Sequence, residues 1–147
     1  MRGRRAVGDT RLMRALIVDD SAAARAQARL ALEEVLVGLG LPVVIDEAHS
    51  GMEALRLLAS EDIQILVVDL HMPDITGLDV LSFWRGRSGA GAHPNRRAVV
   101  VSTEVSPRDR EKSLAQGAHS FLTKPLSSDD LMKALQGVAG GVSVGRG

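Results

Sequence analysis

The sequence predicts an α/β domain in which a parallel sheet is covered by helices on both faces. Short apolar segments alternate five times with segments of helical periodicity, which is the pattern of a doubly wound sheet with right-handed crossovers. Residues 65–68 are continuously apolar, as expected for a strand buried on both faces. The 147 residues suffice for one domain with a core and are too few for two ordinary domains.

The first strand–helix unit begins at residue 15. Residues 15–18 form the first strand, and the Ser21 hydroxyl is placed to cap the following helix. Gly40 and Pro42 end that helix. Its apolar face, spaced by three and four, comprises Leu32, Val35, Leu36 and Leu39.

The second and third units follow the same plan. Residues 43–45 form the second strand, and Ser50 with Glu53 has capping-box spacing. The third strand ends at Asp69, and a turn-rich segment leads to a helix that starts at Thr76. The apolar residues of the two helices are Gly51, Ala54, Leu55 and Leu58 in the second, and Leu78 and Leu81 in the third.

The last two units repeat the pattern. Residues 98–101 form the fourth strand, and Ser106 followed by a proline starts the fourth helix, on which Leu114 is expected to face inward. Residues 120–123 form the fifth strand. Gly117 is expected to end the fourth helix. The fifth helix is capped by Ser127 or Ser128 and is expected to end at Gly140–Gly141. Its core face comprises Leu131, Ala134, Leu135 and Val138.

These elements divide the chain into a basic tail (residues 1–12), one domain (13–140) and a C-terminal tail (141–147). The arginines of the first tail could contact phosphates, although a solvated tail is the simpler interpretation, and translation starting at Met13 is a third. Residues 88–95 form a long loop to which we assign no function.

Composition excludes several functional classes. Lys plus Arg and Asp plus Glu each total 18, so net charge indicates neither nucleic acid nor a membrane surface as a partner. The absence of cysteine excludes disulfides and zinc–thiolate sites. No apolar run is long enough for a membrane span. The basic start is not followed by the apolar run of a secretory signal, so a cytoplasmic location is expected.

Polar side chains follow four of the predicted strands, and the carboxyl ends of parallel strands meet at one edge of a sheet. That edge collects Asp19, Asp20, Asp69, Thr103 and Lys124. Neighbouring carboxylates repel each other unless a cation intervenes, and Mg²⁺ prefers oxygen ligands of this kind. A carboxylate can also accept a phosphoryl group, whose charge an ammonium and a hydroxyl would stabilise. A purely structural role for all five as caps, ion pairs and turn residues is the alternative.

The sequence resembles the receiver domain of two-component response regulators over residues 14–138. The resemblance is carried by four stretches at successive strand ends, residues 16–21, 67–74, 101–103 and 121–125. It implies a flavodoxin-like (βα)5 fold with strand order 2-1-3-4-5, and a cis peptide bond before Pro125.

The resemblance also implies a role for each residue of the edge. Asp69 would be the phosphoacceptor, with Thr103 as switch hydroxyl and Lys124 as the phosphate-binding ammonium. Mg²⁺ would be held by Asp19, Asp20, Asp69 and the backbone carbonyl of His71. Phe121 would be the switch aromatic.

Two residues depart from the family pattern. Phe121 has no hydroxyl, so its switching must depend on packing alone. Glu104 follows Thr103 where many relatives have a small residue.

The other candidate functional residues are weaker. His71 could bind a metal through its side chain, but His49, His93 and His119 show no cluster spacing, and an exposed loop position is expected. Trp84 is expected to be partly buried rather than to anchor a partner.

The resulting functional interpretation is a single-domain response regulator and not an enzyme beyond its own Mg²⁺-assisted phosphorylation and dephosphorylation. It would receive the phosphoryl group from a histidine kinase or phosphotransfer protein and bind a downstream protein through residues 107–138, because no output domain fits after residue 140. Nucleic acid and membrane are not expected as partners. A phosphorylation-independent docking module is the first alternative. An aspartyl-phosphate hydrolase is the second, although those enzymes place an Asp two residues after the nucleophile, where this chain has His71.

Overall fold

The sheet has five parallel strands in the order β2-β1-β3-β4-β5, as the resemblance implied. A computed structural model describes the backbone of residues 13–87, 96–104 and 106–143, with side chains up to residue 136. The strands are β1 (Met13–Val18), β2 (Val43–Ala48), β3 (Ile65–Asp69), β4 (Arg97–Ser102) and β5 (Ser120–Thr123). The helices are α1 (Ala22–Leu39), α2 (Gly51–Ser60), α3 (Gly77–Arg87), α4 (Pro107–Ala115) and α5 (Ser128–Ser143).

Two hydrophobic cores cover the two faces of the sheet. Successive strand residues point to opposite faces, and in β1 Leu16 and Val18 join the core under α2 and α3. Ala15 and Ile17 join the core under α1 and α5. Every residue of β3 is buried, which confirms the interpretation of its apolar run. The central strand is thereby fixed on both sides, and so is its carboxyl end.

The predicted caps are largely confirmed. The hydroxyls of Ser21, Ser50 and Ser106 each accept a hydrogen bond from the amide three residues on. Gly40 caps the end of α1 with a φ of 69°, a left-handed conformation that glycine adopts without strain. Ser127, rather than Ser128, caps α5, since its Oγ accepts from the amide of Asp130 at 3.1 Å.

The second strand is three residues longer than predicted and ends at Ala48. The prediction stopped at residue 45 because Asp46 and Glu47 are charged. Both lie on an edge strand, where their carboxylates pair with arginines, Asp46 with Arg14 at 2.9 Å and Glu47 with Arg29 at 2.9 Å. These two ion pairs, one to the neighbouring strand β1 and one to helix α1, thus compensate for low strand propensity.

Two predictions about helices are wrong. Leu114 is 41% exposed, and Ser113 faces the core instead. Adjacent helical residues lie about 100° apart, so one apolar residue in the polar helix α4 could not define its inner face. The fifth helix continues through Gly140–Gly141 to Ser143; glycine weakens a helix by about 1 kcal/mol but does not force it to end.

Trp84 is almost fully buried, and its Nε1 donates to the carbonyl of Ile63 at 2.9 Å. This excludes Trp84 as an exposed docking anchor in this conformation.

None of the helices in the described ranges combines the length and apolarity needed to cross a membrane. The predictions for residues 1–12, for the loop 88–95 and for the side chain of Val138 lie outside the described residues.

Candidate functional site

The carboxyl edge of the sheet brings the three predicted carboxylates together. Asp19 directly follows β1, and Asp69 is the last residue of β3, paired in register with Val101 of β4. Asp19, Asp20 and Asp69 each offer an oxygen within 4.8 Å of the others. Asp19 and Asp69 are buried, whereas Asp20 is exposed. The site therefore has two carboxylates fixed in the protein and one facing solvent.

Lys124 bridges the two buried carboxylates. Its Nζ lies 2.7 Å from Oδ2 of Asp19 and 3.4 Å from Oδ1 of Asp69. Burial disfavours the charged ammonium, but the hydrogen bond and charge of Asp19, with a smaller contribution from Asp69, outweigh it and raise the pKa of Lys124. The implied cis bond between Lys124 and Pro125 is present. The ammonium is thus charged at neutral pH and directed into the site.

Asp69 lies in an environment that disfavours its ionised form. Burial raises the pKa of its carboxyl, and the charge of Asp19 raises it further. Lys124 and the backbone amide of His71 counteract both effects only in part. A cation at the three-carboxylate cluster would relieve the repulsion.

The turn after β3 is packed against Asp69 by Gly77. The Gly77 amide donates to the carbonyl of Leu70 at 2.8 Å. A Cβ atom on Gly77 would lie 2.3 Å from the backbone oxygen of Asp69, so only glycine fits. The start of α3 can therefore approach the carboxylate-bearing strand end.

The same turn is anchored to the second helix by Asp74. Its carboxylate accepts hydrogen bonds from the amides of Gly51 at 3.1 Å and Met52 at 2.8 Å. These bonds hold the pKa of Asp74 below its usual value, because they favour the charged form. Sequence reasoning included Asp74 in a motif but gave it no role, since the partner amides lie 23 and 22 residues away.

The other predicted residues surround this cluster at different depths. Thr103 and Glu104 directly follow β4 and are exposed. Phe121 is buried in the core under α2 and α3, so its ring points inward. The side chain of His71 is exposed, as expected for a loop position, and its Nε2 lies 3.6 Å from the carboxylate of Asp109 on α4.

The described histidines do not form a metal site. His49 contacts Glu53, and His119 accepts a hydrogen bond from the backbone of Ala98. Within the described residues, the cluster of Asp19, Asp20 and Asp69 is the group found to offer three suitable ligand atoms together. Its all-oxygen donor set fits a hard divalent cation such as Mg²⁺.

Residues 15–136 match the family model of the response regulator receiver domain. The nitrate/nitrite response regulator NarL of Escherichia coli K12 is 35% identical over 101 residues, which are 69% of this chain and 44% of that protein. The chemotaxis protein CheY homolog of Campylobacter jejuni is 30% identical over 129 residues, 87% of this chain and 93% of that protein. The chain thus spans less than half the length of some curated relatives and most of the length of others.

Solved structures give the same result. Chemotaxis protein CheY4 of Vibrio cholerae superposes with a TM-score of 0.71 at 26% identity, covering 87% of this chain and 99% of that one. A response regulator from Burkholderia pseudomallei, determined with a phosphorylated aspartic acid, a calcium ion and citrate, has a TM-score of 0.68 at 25% identity and covers 90% and 72%. The sheet order, the carboxylate cluster at its edge and these matches together show that the chain belongs to the response regulator receiver domain family.

Proposed function

We propose that Asp69 accepts a phosphoryl group from a phosphohistidine on a histidine kinase or phosphotransfer protein, and that phosphorylation changes the affinity of the domain for a protein partner. The observation that carries the proposal is the buried Asp69 carboxylate, flanked by the Lys124 ammonium at 3.4 Å and by two further carboxylates. Turn formation alone would not require a buried carboxylate with an ammonium and two further carboxylates beside it.

The transfer replaces one bond to phosphorus with another. A carboxylate oxygen of Asp69 attacks the phosphorus, and the P–N bond of the phosphohistidine breaks with its electron pair left on the imidazole nitrogen. Negative charge accumulates on the equatorial phosphoryl oxygens in the transition state. Lys124, fixed by Asp19, is placed to stabilise that charge.

Asp19, Asp20, Asp69 and the backbone carbonyl of His71 would hold Mg²⁺. The bound cation would neutralise charge on the carboxylates and the phosphoryl oxygens. The protein keeps the carboxylates close enough to share one ion, two of them buried, even though they repel each other. The Burkholderia relative was determined with a calcium ion, which supports binding of a divalent cation by a protein of this kind.

The proposed switch extends from the site to one face of the domain. Phosphorylation would draw the exposed Thr103 toward Asp69, so that its hydroxyl could donate to a phosphoryl oxygen. Phe121 already packs inward, so its contribution is to hold the β4–β5 surface once Thr103 has moved. The output surface is formed by residues 107–138, and its partner is a protein rather than a nucleic acid or a membrane. We propose that this signalling takes place in the cytoplasm.

The two alternatives, a docking module and a hydrolase, differ from a receiver in whether phosphoaspartate forms and in how fast it is hydrolysed. A docking module would never form phosphoaspartate, which would leave the buried cluster without a function. A hydrolase would release phosphate in rapid turnover, but the side chain two residues after Asp69 is an exposed imidazole rather than a carboxylate. A receiver catalyses only its own phosphorylation and dephosphorylation, so we do not class it as an enzyme.

Phosphotransfer profiling tests the proposal. The purified chain is mixed with each phosphorylated histidine kinase of its own organism. We expect rapid transfer from one or a few kinases to the wild type and none to Asp69→Asn. Equal slow labelling by every kinase, or labelling of the variant, would contradict it.

A further inference from the structure

Arg25 on α1 contacts the backbone of the turn that carries two of the clustered carboxylates. Its Nη1 donates to the carbonyl oxygen of Asp19 at 2.8 Å. That oxygen belongs to the peptide unit joining Asp19 to Asp20. Because a peptide unit is planar, holding its carbonyl also fixes the direction in which the chain enters Asp20.

Arg25 is itself held by the edge strand. Its Nε lies 3.2 Å from Oε1 of Glu47, and its side chain is only 19% exposed. Glu47 pairs in register with Ile17, two residues before Asp19, because β2 continues past residue 45. The Asp19 amide also donates to the carbonyl of Ala48 at 3.1 Å. The end of β2 thus supports the turn after β1 directly and through Arg25.

We propose that Arg25 is a positioning residue that holds the Asp19–Asp20 turn in its cation-binding geometry, and that Glu47 orients Arg25 for this role. The inference rests on the proposed Mg²⁺ site. Asp19 is further held by the Ser21 amide, which donates to its Oδ1 at 2.9 Å, and by Lys124. Asp20 has no equivalent buried support, since it is exposed, and the carbonyl held by Arg25 immediately precedes it.

Positioning and charge predict opposite effects when Arg25 is removed. If the guanidinium acted only as a nearby positive charge, its loss would tighten binding of a cation. If it orders the turn, its loss would weaken binding, because the turn would have to be ordered as the ion binds. Residues that orient metal ligands typically contribute about 10- to 100-fold to affinity. We expect the lower end, about tenfold, because Asp19 keeps its other contacts.

Arg29 provides a matched control. It binds the same carboxylate, with its Nη1 2.9 Å from Oε2 of Glu47, and its side chain is on the same helix one turn later. Its other contacts are Glu33 and the carbonyl of Ile45, and no contact with the Asp19–Asp20 turn is recorded. Arg29→Gln therefore removes the same charge and an ion pair to Glu47 while leaving the bond to Asp19.

The test is calorimetric titration of the full chain with Mg²⁺ alone. We expect about tenfold weaker binding in Arg25→Gln and binding within about twofold of wild type in Arg29→Gln. Glu47→Gln should resemble Arg25→Gln in direction with a smaller effect. Equal or tighter binding in Arg25→Gln would overturn the inference.

Amide hydrogen exchange of the metal-free proteins gives a second, independent measurement. The Ser21 amide should exchange faster in Arg25→Gln than in Arg29→Gln, with unchanged exchange in the β3 core of both. Equal Ser21 exchange in the two variants would overturn the positioning role. Failure of the wild type to bind Mg²⁺ would instead contradict the proposed metal site, while the exchange comparison would still decide on Arg25.

Discussion

The ammonium of Lys124 lies closer to Asp19 than to Asp69, at 2.7 Å against 3.4 Å. The two buried carboxylates are therefore unequally compensated. Asp69 remains the carboxylate whose pKa is raised, by burial first and by the charge of Asp19 second. The less stabilised carboxylate is therefore the one that we propose as the nucleophile.

We predict that Asp69→Asn stabilises the metal-free protein at neutral pH, because a neutral amide avoids the penalty that burial and the charge of Asp19 impose on the ionised carboxylate. A raised carboxyl pKa means that the folded state binds more protons than the unfolded state between the two pKa values. Wild-type stability therefore falls as pH rises through that window. Urea unfolding with a chelator present should show the gain at pH 7 and its loss in acid.

Two comparisons sharpen this prediction. Asp74→Asn, in the same turn, should destabilise instead, because the Asp74 carboxylate accepts two backbone hydrogen bonds and has a lowered pKa. Saturating Mg²⁺ should stabilise the wild type more than Asp69→Asn. A metal-free Asp69→Asn protein less stable than wild type at pH 7 would refute the unequal compensation.

The imidazole of His119 should make stability depend on pH. Its Nδ1 accepts a hydrogen bond from the Ala98 amide at 3.0 Å, which only the neutral ring can do. Burial lowers the pKa of His119, and the charge of Arg97 lowers it further. The unfolded state therefore binds more protons, so stability should fall as pH drops below about 6.5 toward the folded-state value.

His119→Asn is the informative variant, since its side-chain oxygen can replace Nδ1 as acceptor without titrating. Unfolding measured from pH 7.5 to about 5 should show a flatter pH dependence than wild type. Parallel curves for the two proteins would show that His119 does not contribute.

Helix α4 contains a second testable feature. The hydroxyl of Ser113 is buried and has no hydrogen-bond partner among the residues that the structure describes, a situation that costs about 1–3 kcal/mol. Ser113→Ala should therefore stabilise the domain by about 1 kcal/mol. Ser106→Ala makes the same chemical change in the cap of the same helix and should destabilise by about 1 kcal/mol. Destabilisation by both variants in thermal unfolding would count against this account.

Glu104 is predicted to slow phosphorylation by small anionic donors. Its carboxylate is exposed directly after Thr103, where an approaching donor would pass. Lys124 pairs with Asp19 and Asp69, so we expect Glu104 to act by repelling the donor rather than by occupying the Lys124 ammonium. Glu104→Ala should react about threefold faster at saturating Mg²⁺, with the difference shrinking at high salt. Glu111→Ala is the exposed-carboxylate control, and an unchanged or slower Glu104→Ala rate would exclude the effect.

Sequence reasoning succeeded where a residue's role depends on its own element. The buried β3, the serine caps and the carboxylates at the ends of β1 and β3 follow from apolar runs and hydrogen-bonding chemistry. Strand order required the family resemblance, because alternation alone does not order strands.

The missed features depend on contacts between distant segments. Arg25 reaches Glu47 only because β2 is longer than its apolar residues indicate. Asp74 accepts a hydrogen bond from an amide of α2, 23 residues away. On α4, Leu114 was expected to face the core, but Ser113 does so instead. Periodicity cannot reveal a pairing across the sheet or choose a face from one residue.

Mass spectrometry of the intact chain after incubation with acetyl phosphate and Mg²⁺ tests the central claim most directly. We predict that one phosphoryl group is added to the wild type, that Asp69→Asn gains none, and that Asp74→Asn is still labelled. Omission of Mg²⁺ should abolish most of the labelling of the wild type. Undiminished labelling of Asp69→Asn, or an unlabelled wild type, would contradict the assignment of Asp69 as the phosphoacceptor.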